Sequence, residues 1–164
     1  MQPLLLQTTP AIGQTRVTSG TTRTPGKARR AASGERSQRH AAPQVLVVDD
    51  DPSALGALGR LIKSAGLKVK LFDRPSALLN DELPTERACV ILDVSLPEMN
   101  GVTLHDVLHT SGHALPTIFV TGLADPATQR QLQRAKPVAI LYKPVHERVL
   151  FEAIRMALNA GANR

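Results

Sequence analysis

Asp49 and Asp50 follow the apolar run Val45-Leu46-Val47-Val48, and Asp93 follows Ala88-Cys89-Val90-Ile91-Leu92. Farther on, Thr121 follows Thr117-Ile118-Phe119-Val120, and Lys143-Pro144 follows the run that begins at Val138. Each polar group ends a segment rich in β-branched and aliphatic residues, so one sheet edge would gather three carboxylates, a hydroxyl and an ammonium. Carboxylates drawn together repel one another unless a cation joins them. Oxygen ligands of this kind suit a hard divalent ion, Mg²⁺ before others, which keeps several waters and takes few protein carboxylates. Lysine and threonine then add a point charge and a hydroxyl donor, both suited to a phosphoryl group.

The elements that must bring these groups together are legible as alternating patterns. Strands are expected at Val45 to Val48, Leu67 to Phe72, Ala88 to Leu92, Thr117 to Val120 and Val138 to Leu141, most of them apolar enough for burial on both faces. Helices are expected at Pro52 to Ala65, Pro75 to Asn80, Gly101 to Thr110, Asp125 to Ala135 and Val145 to Leu158. Asp51-Pro52 reads as an N-cap followed by proline at the first helical position, and Gly66 and Gly161 read as helix stops. The fourth helix is mostly polar, with Ala127, Leu132 and Ala135 as its apolar contribution, so it should be the least firmly held. Strands alternating with helices imply a doubly wound five-stranded parallel sheet in a three-layer αβα sandwich, with ligands beyond the carboxyl ends of the strands.

The stretches VLVVDDDPSALGAL, VILDVSLPEMNG, IFVTG and LYKP, taken in order, give a resemblance. The segment from Gln44 to about Ala160 resembles a response-regulator receiver domain of two-component signalling, of flavodoxin-like fold. The resemblance implies that Asp93 accepts a phosphoryl group from a histidine kinase or phosphotransfer protein. It implies that Asp49, Asp50, Asp93 and the main-chain carbonyl of Ser95 hold Mg²⁺. Thr121 would turn toward the acyl phosphate, and Lys143 would pair with it. On this reading the protein is a phosphoacceptor that assists its own phosphorylation and dephosphorylation, not an enzyme with a separate substrate. Output would pass to a downstream protein through the fourth helix, fifth strand and fifth helix.

Composition bounds the other possibilities. The 164 residues suit one domain. The net charge of +6 belongs to residues 1–43, where seven Lys and Arg face Glu35 alone; from Gln44 onward 13 basic residues balance 13 acidic ones. That segment lacks an apolar period and reads as a disordered basic tail, with nucleic acid a partner only through it. Residues 161–164 read as a short C-terminal tail with no output domain after the receiver, which is therefore expected to stand alone. Trp is absent, so base stacking on an aromatic platform is not expected. Cys89 is the single cysteine, which suits a reducing cytoplasm, and no run reaches the length of a membrane span.

Several positions depart from the family pattern. Ile140 stands three before Lys143, where the family usually has an aromatic residue; Tyr142 is expected to point to the opposite side of the strand. Lys136-Pro137 replaces the usual Gly-Ala before the fifth strand. These departures leave a degenerate receiver, binding without phosphorylation, as an alternative. Asp49-Asp50-Asp51 also contains the Asp-x-Asp of haloacid-dehalogenase-like phosphatases, although Pro52-Ser53 stands where that superfamily usually begins its Gly and Thr or Val. His105, His109 and His113 could be weighed as metal ligands, but Asp106 points elsewhere on the helix and a solvated or partly packed face is expected.

Overall fold

A computed structural model describes residues 42–122 and 125–162. The expectation of a disordered tail falls, for residues 1–41, outside the described residues, as do residues 163–164. The chain alternates β1 (Gln44–Val48), α1 (Pro52–Ser64), β2 (Lys68–Phe72), α2 (Pro75–Leu79), β3 (Ala88–Asp93), α3 (Gly101–Thr110), β4 (Thr117–Thr121), α4 (Pro126–Arg134), β5 (Ala139–Tyr142) and α5 (Glu147–Ala162). All five strands are parallel, in the order β2-β1-β3-β4-β5. This is the doubly wound αβα sandwich expected from the alternation.

The strand sequences explain the order. β1, β3 and β4 are the most apolar runs and lie inside the sheet, whereas β2 and β5, whose residues are partly exposed, form its edges. Side chains alternate between two cores. Leu46, Val48, Val90, Leu92 and Phe119 point toward one, closed by Leu78 of α2, Val102, Leu104 and Leu108 of α3, and Leu132 of α4. Val45, Val47, Cys89, Ile91, Ile118 and Val120 point toward the other, closed by Ile62 of α1 and Leu150, Ala153, Ile154 and Ala157 of α5. Cys89 is a small core residue, as expected, and burial pushes its thiol pKa up to about 12.

Helix starts follow the sequence signals. The Asp51 carboxylate accepts from Ser53 N–H at 2.8 Å with Pro52 opening α1. The Asn100 side chain accepts from Thr103 N–H at 2.8 Å, and the Asp125 carboxylate caps α4 through Ala127 and Thr128. The Asp125 pKa falls below the usual carboxylate range, first because of the Thr128 hydroxyl and then because of the two backbone donors.

Three expectations need correction. Ile140 and Tyr142 share one face of β5, because residues two apart in a strand must; Leu141 turns the other way into the second core, Ile140 packs on the first, and Tyr142 is exposed. Ala127 is exposed, and among the described residues of α4 Leu132 alone is buried. Gly161 is not a stop, since α5 runs to Ala162; a Cβ there would meet the Ala88 carbonyl oxygen and Pro116 at ordinary contact distance, 3.4 Å each, so the helix passes against the sheet at this point. The histidine face of α3 is partly packed, as expected: His109 is exposed, while His105 is buried with its Nδ1 3.0 Å from Thr117 Oγ1 and its ring against the edge of Phe119. At the Lys136-Pro137 loop, Lys136 takes the left-handed conformation (φ 49°) that ends many helices.

Candidate functional site

The topology determines where the polar strand ends meet. The chain leaves β1 toward β2 on one side and returns to pair β3 with β1 on the other, so the crevice of this sheet opens beyond the ends of β1 and β3. Those ends carry Asp49 and Asp93.

Asp49 is buried beyond the last residue of β1, and its N–H extends the ladder by donating to the Phe72 carbonyl at 3.2 Å. Its Oδ1 accepts from Asp51 N–H at 2.9 Å. Asp93 is the final residue of β3, also buried, with Oδ1 accepting from Ser95 N–H at 3.3 Å. Asp50, beside Asp49, is exposed and forms the solvent side of the cluster. One carboxylate oxygen from each of Asp49, Asp50 and Asp93 lies within 4.8 Å of the others.

Lys143 reaches this cluster from just past β5. Its Nζ donates to Asp49 Oδ2 at 3.0 Å and to Asp93 Oδ2 at 2.9 Å, bridging residues 94 and 50 positions away in sequence. Burial alone would lower its pKa. The hydrogen bonds and charges of Asp93 and Asp49 outweigh that effect and raise it above the ordinary lysine value. The root of Lys143 is fixed by its own N–H, which donates to the Thr121 carbonyl at 2.8 Å, and a cis peptide bond joins it to Pro144. Thr121 is buried at the end of β4, one residue beyond Val120, the partner of Asp93 in the ladder.

Five of the six residues singled out in the sequence thus stand at adjoining strand ends, and the sixth, Ser95, touches Asp93 through its N–H. The donor set fits a hard divalent cation, because it offers only carboxylate oxygens, from two separate strands, with one open side for water. Asp51 is engaged in capping α1, so the Asp-x-Asp reading loses its second carboxylate. Among the described residues no group of three metal-ligating side chains includes a histidine.

Gly101 belongs to the site although its sequence signal is slight. A Cβ at that position would lie 2.2 Å from the Asp93 carbonyl oxygen and 3.1 Å from Val94 Cα, so only glycine lets α3 begin against the end of β3. A glycine directly after a capping asparagine is the signal that could have found it.

Comparison with known proteins agrees with this geometry. The chain is 39% identical over 114 residues to the response regulator protein TmoT of Ectopseudomonas mendocina, covering 70% of this chain and 52% of that protein. It is 37% identical over 126 residues to the response regulator protein TodT of Pseudomonas putida, covering 77% and 56%. Among solved structures, the response regulator StyR superposes with a TM-score of 0.69 at 37% identity, covering 76% of this chain and 63% of that one. The chain spans about half the length of the curated relatives it matches. The sequence profile of the response regulator receiver domain matches residues 45–155. A match of that extent, on a fold shared with solved relatives, makes this chain a member of the response regulator receiver domain family.

Proposed function

We propose that Asp93 accepts a phosphoryl group from a histidine kinase or phosphotransfer protein, with Mg²⁺ held by Asp49, Asp50, Asp93 and the main-chain carbonyl of Ser95. The observation that carries this reading is the Lys143 ammonium seated between Asp49 and Asp93, with Asp50 open to solvent beside them. A bound Mg²⁺ would neutralise phosphoryl oxygens in the transition state. The chain's own residues position the rest. An oxygen of Asp93 attacks phosphorus while the bond to the donor atom breaks, and the donor leaves with the electron pair. Lys143 then exchanges a carboxylate for a phosphoryl oxygen as its partner, and the Thr121 hydroxyl donates to another. The added charge would redirect the Thr121 end of β4 and with it α4.

Signalling on this reading is phosphorylation-dependent binding of a downstream protein at the face formed by α4, β5 and α5, in a reducing, cytoplasmic setting. No helix among the described residues is long and apolar enough to cross a membrane. Phosphorylation-independent binding is the second reading. It is favoured by Ile140, whose aliphatic side chain packs on the first core where an aromatic switch is usual.

The test is incubation with acetyl phosphate and Mg²⁺, reading phosphorylation by gel retardation. Wild type should shift and Asp93→Asn should not. Unchanged labelling of Asp93→Asn would sink the assignment, and labelling absent from both would favour the second reading.

A further inference from the structure

Val94 to Asn100 join β3 to α3, and the root of this loop is fixed from both sides. Val94 N–H donates to the Val120 carbonyl at 3.0 Å, and Gly101 N–H to the Val94 carbonyl at 3.0 Å. Leu96 and Met99 are half-buried against the first core. The tip of the loop is held by other means. There Met99 N–H closes on the Pro97 carbonyl at 2.7 Å around Glu98, whose φ is 65°. A three-residue turn with a positive central φ is the rare, strained member of its class, and glutamate has no special tolerance for that conformation.

What holds the turn is a contact to another element. Glu98 Oε2 accepts from Ser76 N–H at 3.1 Å and Oε1 from the Ser76 hydroxyl at 3.0 Å. Arg74, which precedes α2, makes no side-chain cap to it, so a carboxylate from 22 positions further along takes one of the free donors in its first turn. The Arg74 guanidinium, hydrogen-bonded to Asp73, also lies in the field of Glu98.

We propose that Glu98 is a positioning residue. By clamping the strained turn to Ser76, it fixes the segment that carries Ser95, whose N–H lies 3.3 Å from Asp93 Oδ1 and whose main-chain carbonyl is the proposed metal ligand, and so sets the metal affinity and phosphorylation rate of the site. The inference rests on the reading that Asp93 is phosphorylated beside bound Mg²⁺. Its physical basis is population: a loop whose tip is released spends only part of its time with Ser95 in place, and apparent affinity falls by that fraction.

The experiment uses the full chain, with Mg²⁺ binding followed by calorimetry and labelling by acetyl phosphate followed in time. Glu98→Ala should weaken Mg²⁺ binding and slow labelling by about tenfold, the low end for groups that orient ligands without touching the metal. Glu98→Gln, which can still accept from Ser76 N–H, should restore both. Glu98→Gly removes the conformational strain along with the clamp, so it should recover melting temperature while Mg²⁺ binding stays weak. If Glu98→Ala lowers the melting temperature but leaves affinity and rate at wild-type values, the clamp serves only α2 and this proposal is wrong. A wild type that neither binds Mg²⁺ nor labels would overturn the underlying phosphoacceptor reading, and this inference with it.

Discussion

Replacing Lys143 by Met removes the ammonium that bridges Asp49 and Asp93 while keeping most of the apolar stem. The two carboxylate side chains are 2% and 7% exposed, and that of Lys143 is 33% exposed. Breaking a fully buried ion pair costs about 3–5 kcal/mol, because a charge is left uncompensated. Solvent reaches a third of Lys143, and the cluster is open on the Asp50 side, so the loss should fall to about 1–2 kcal/mol. In a domain of this size that lowers the melting temperature by about 5–10 °C. Added Mg²⁺ should reverse the loss, since a ligand at a hundredfold excess over its Kd stabilises by about 2.7 kcal/mol. The variant, having no competing ammonium, should also bind Mg²⁺ more tightly than wild type. The sign with pH follows from the raised Lys143 pKa. Its contribution is complete below the ordinary lysine value and disappears as the pH rises through the folded-state value, so the two proteins should converge in strong alkali. The assay is thermal unfolding by circular dichroism, with and without Mg²⁺. A Lys143→Met protein that melts with wild type in metal-free buffer would refute the bridging role.

Other perturbations are predicted by the same geometry. Gly101→Ala places a methyl group against the Asp93 backbone and should cost about 1–3 kcal/mol in denaturant titration, with slower labelling because Asp93 itself must move. Burial, reinforced by the charge of His109 and opposed by Asp106 and the Ala135 carbonyl, holds the His105 pKa below the ordinary imidazole value. Stability should therefore be complete above that ordinary value and decline as the pH falls through it. Melting temperatures at pH 7.5 and 5.5 should differ less in His105→Gln than in wild type, and equal differences would count against the effect. Leu132→Ala should cost about 2–5 kcal/mol at most, read as lost hydrogen-exchange protection in α4 while β1 and β3 stay protected.

The site was readable because its chemistry sits where simple periodicity places it. Apolar runs such as Val45 to Val48 and Ala88 to Leu92 mark strands, and the next residue marks a ligand edge. Asp51-Pro52 likewise announces a helix start through purely local bonds. The less legible features depend on the third dimension. Nothing in LPEMNG says that Glu98 bends the chain at a positive φ, because its compensating partner Ser76 lies in α2, 22 positions earlier. Gly161 reads as a stop by propensity, and packing overrides it where α5 passes close to Ala88 and Pro116. The spacing of His105, His109 and His113 does not say which of them is packed, and β4 decides it by setting Thr117 beside His105.

The attachment of α4 has a consequence for how sharply the domain can respond. One leucine, Leu132, is its sole fully buried side chain among the described residues, a burial worth about 1.5–3 kcal/mol. A new hydrogen bond to a charged phosphoryl group is worth about 1.5–3 kcal/mol as well. The two magnitudes match, so on the proposed reading one phosphorylation at Asp93 would shift the balance between two settings of α4 by roughly one to two powers of ten. A helix anchored by three or four such side chains would respond little to the same event. On that reading the thin apolar face of α4 would act as the gain control of the domain.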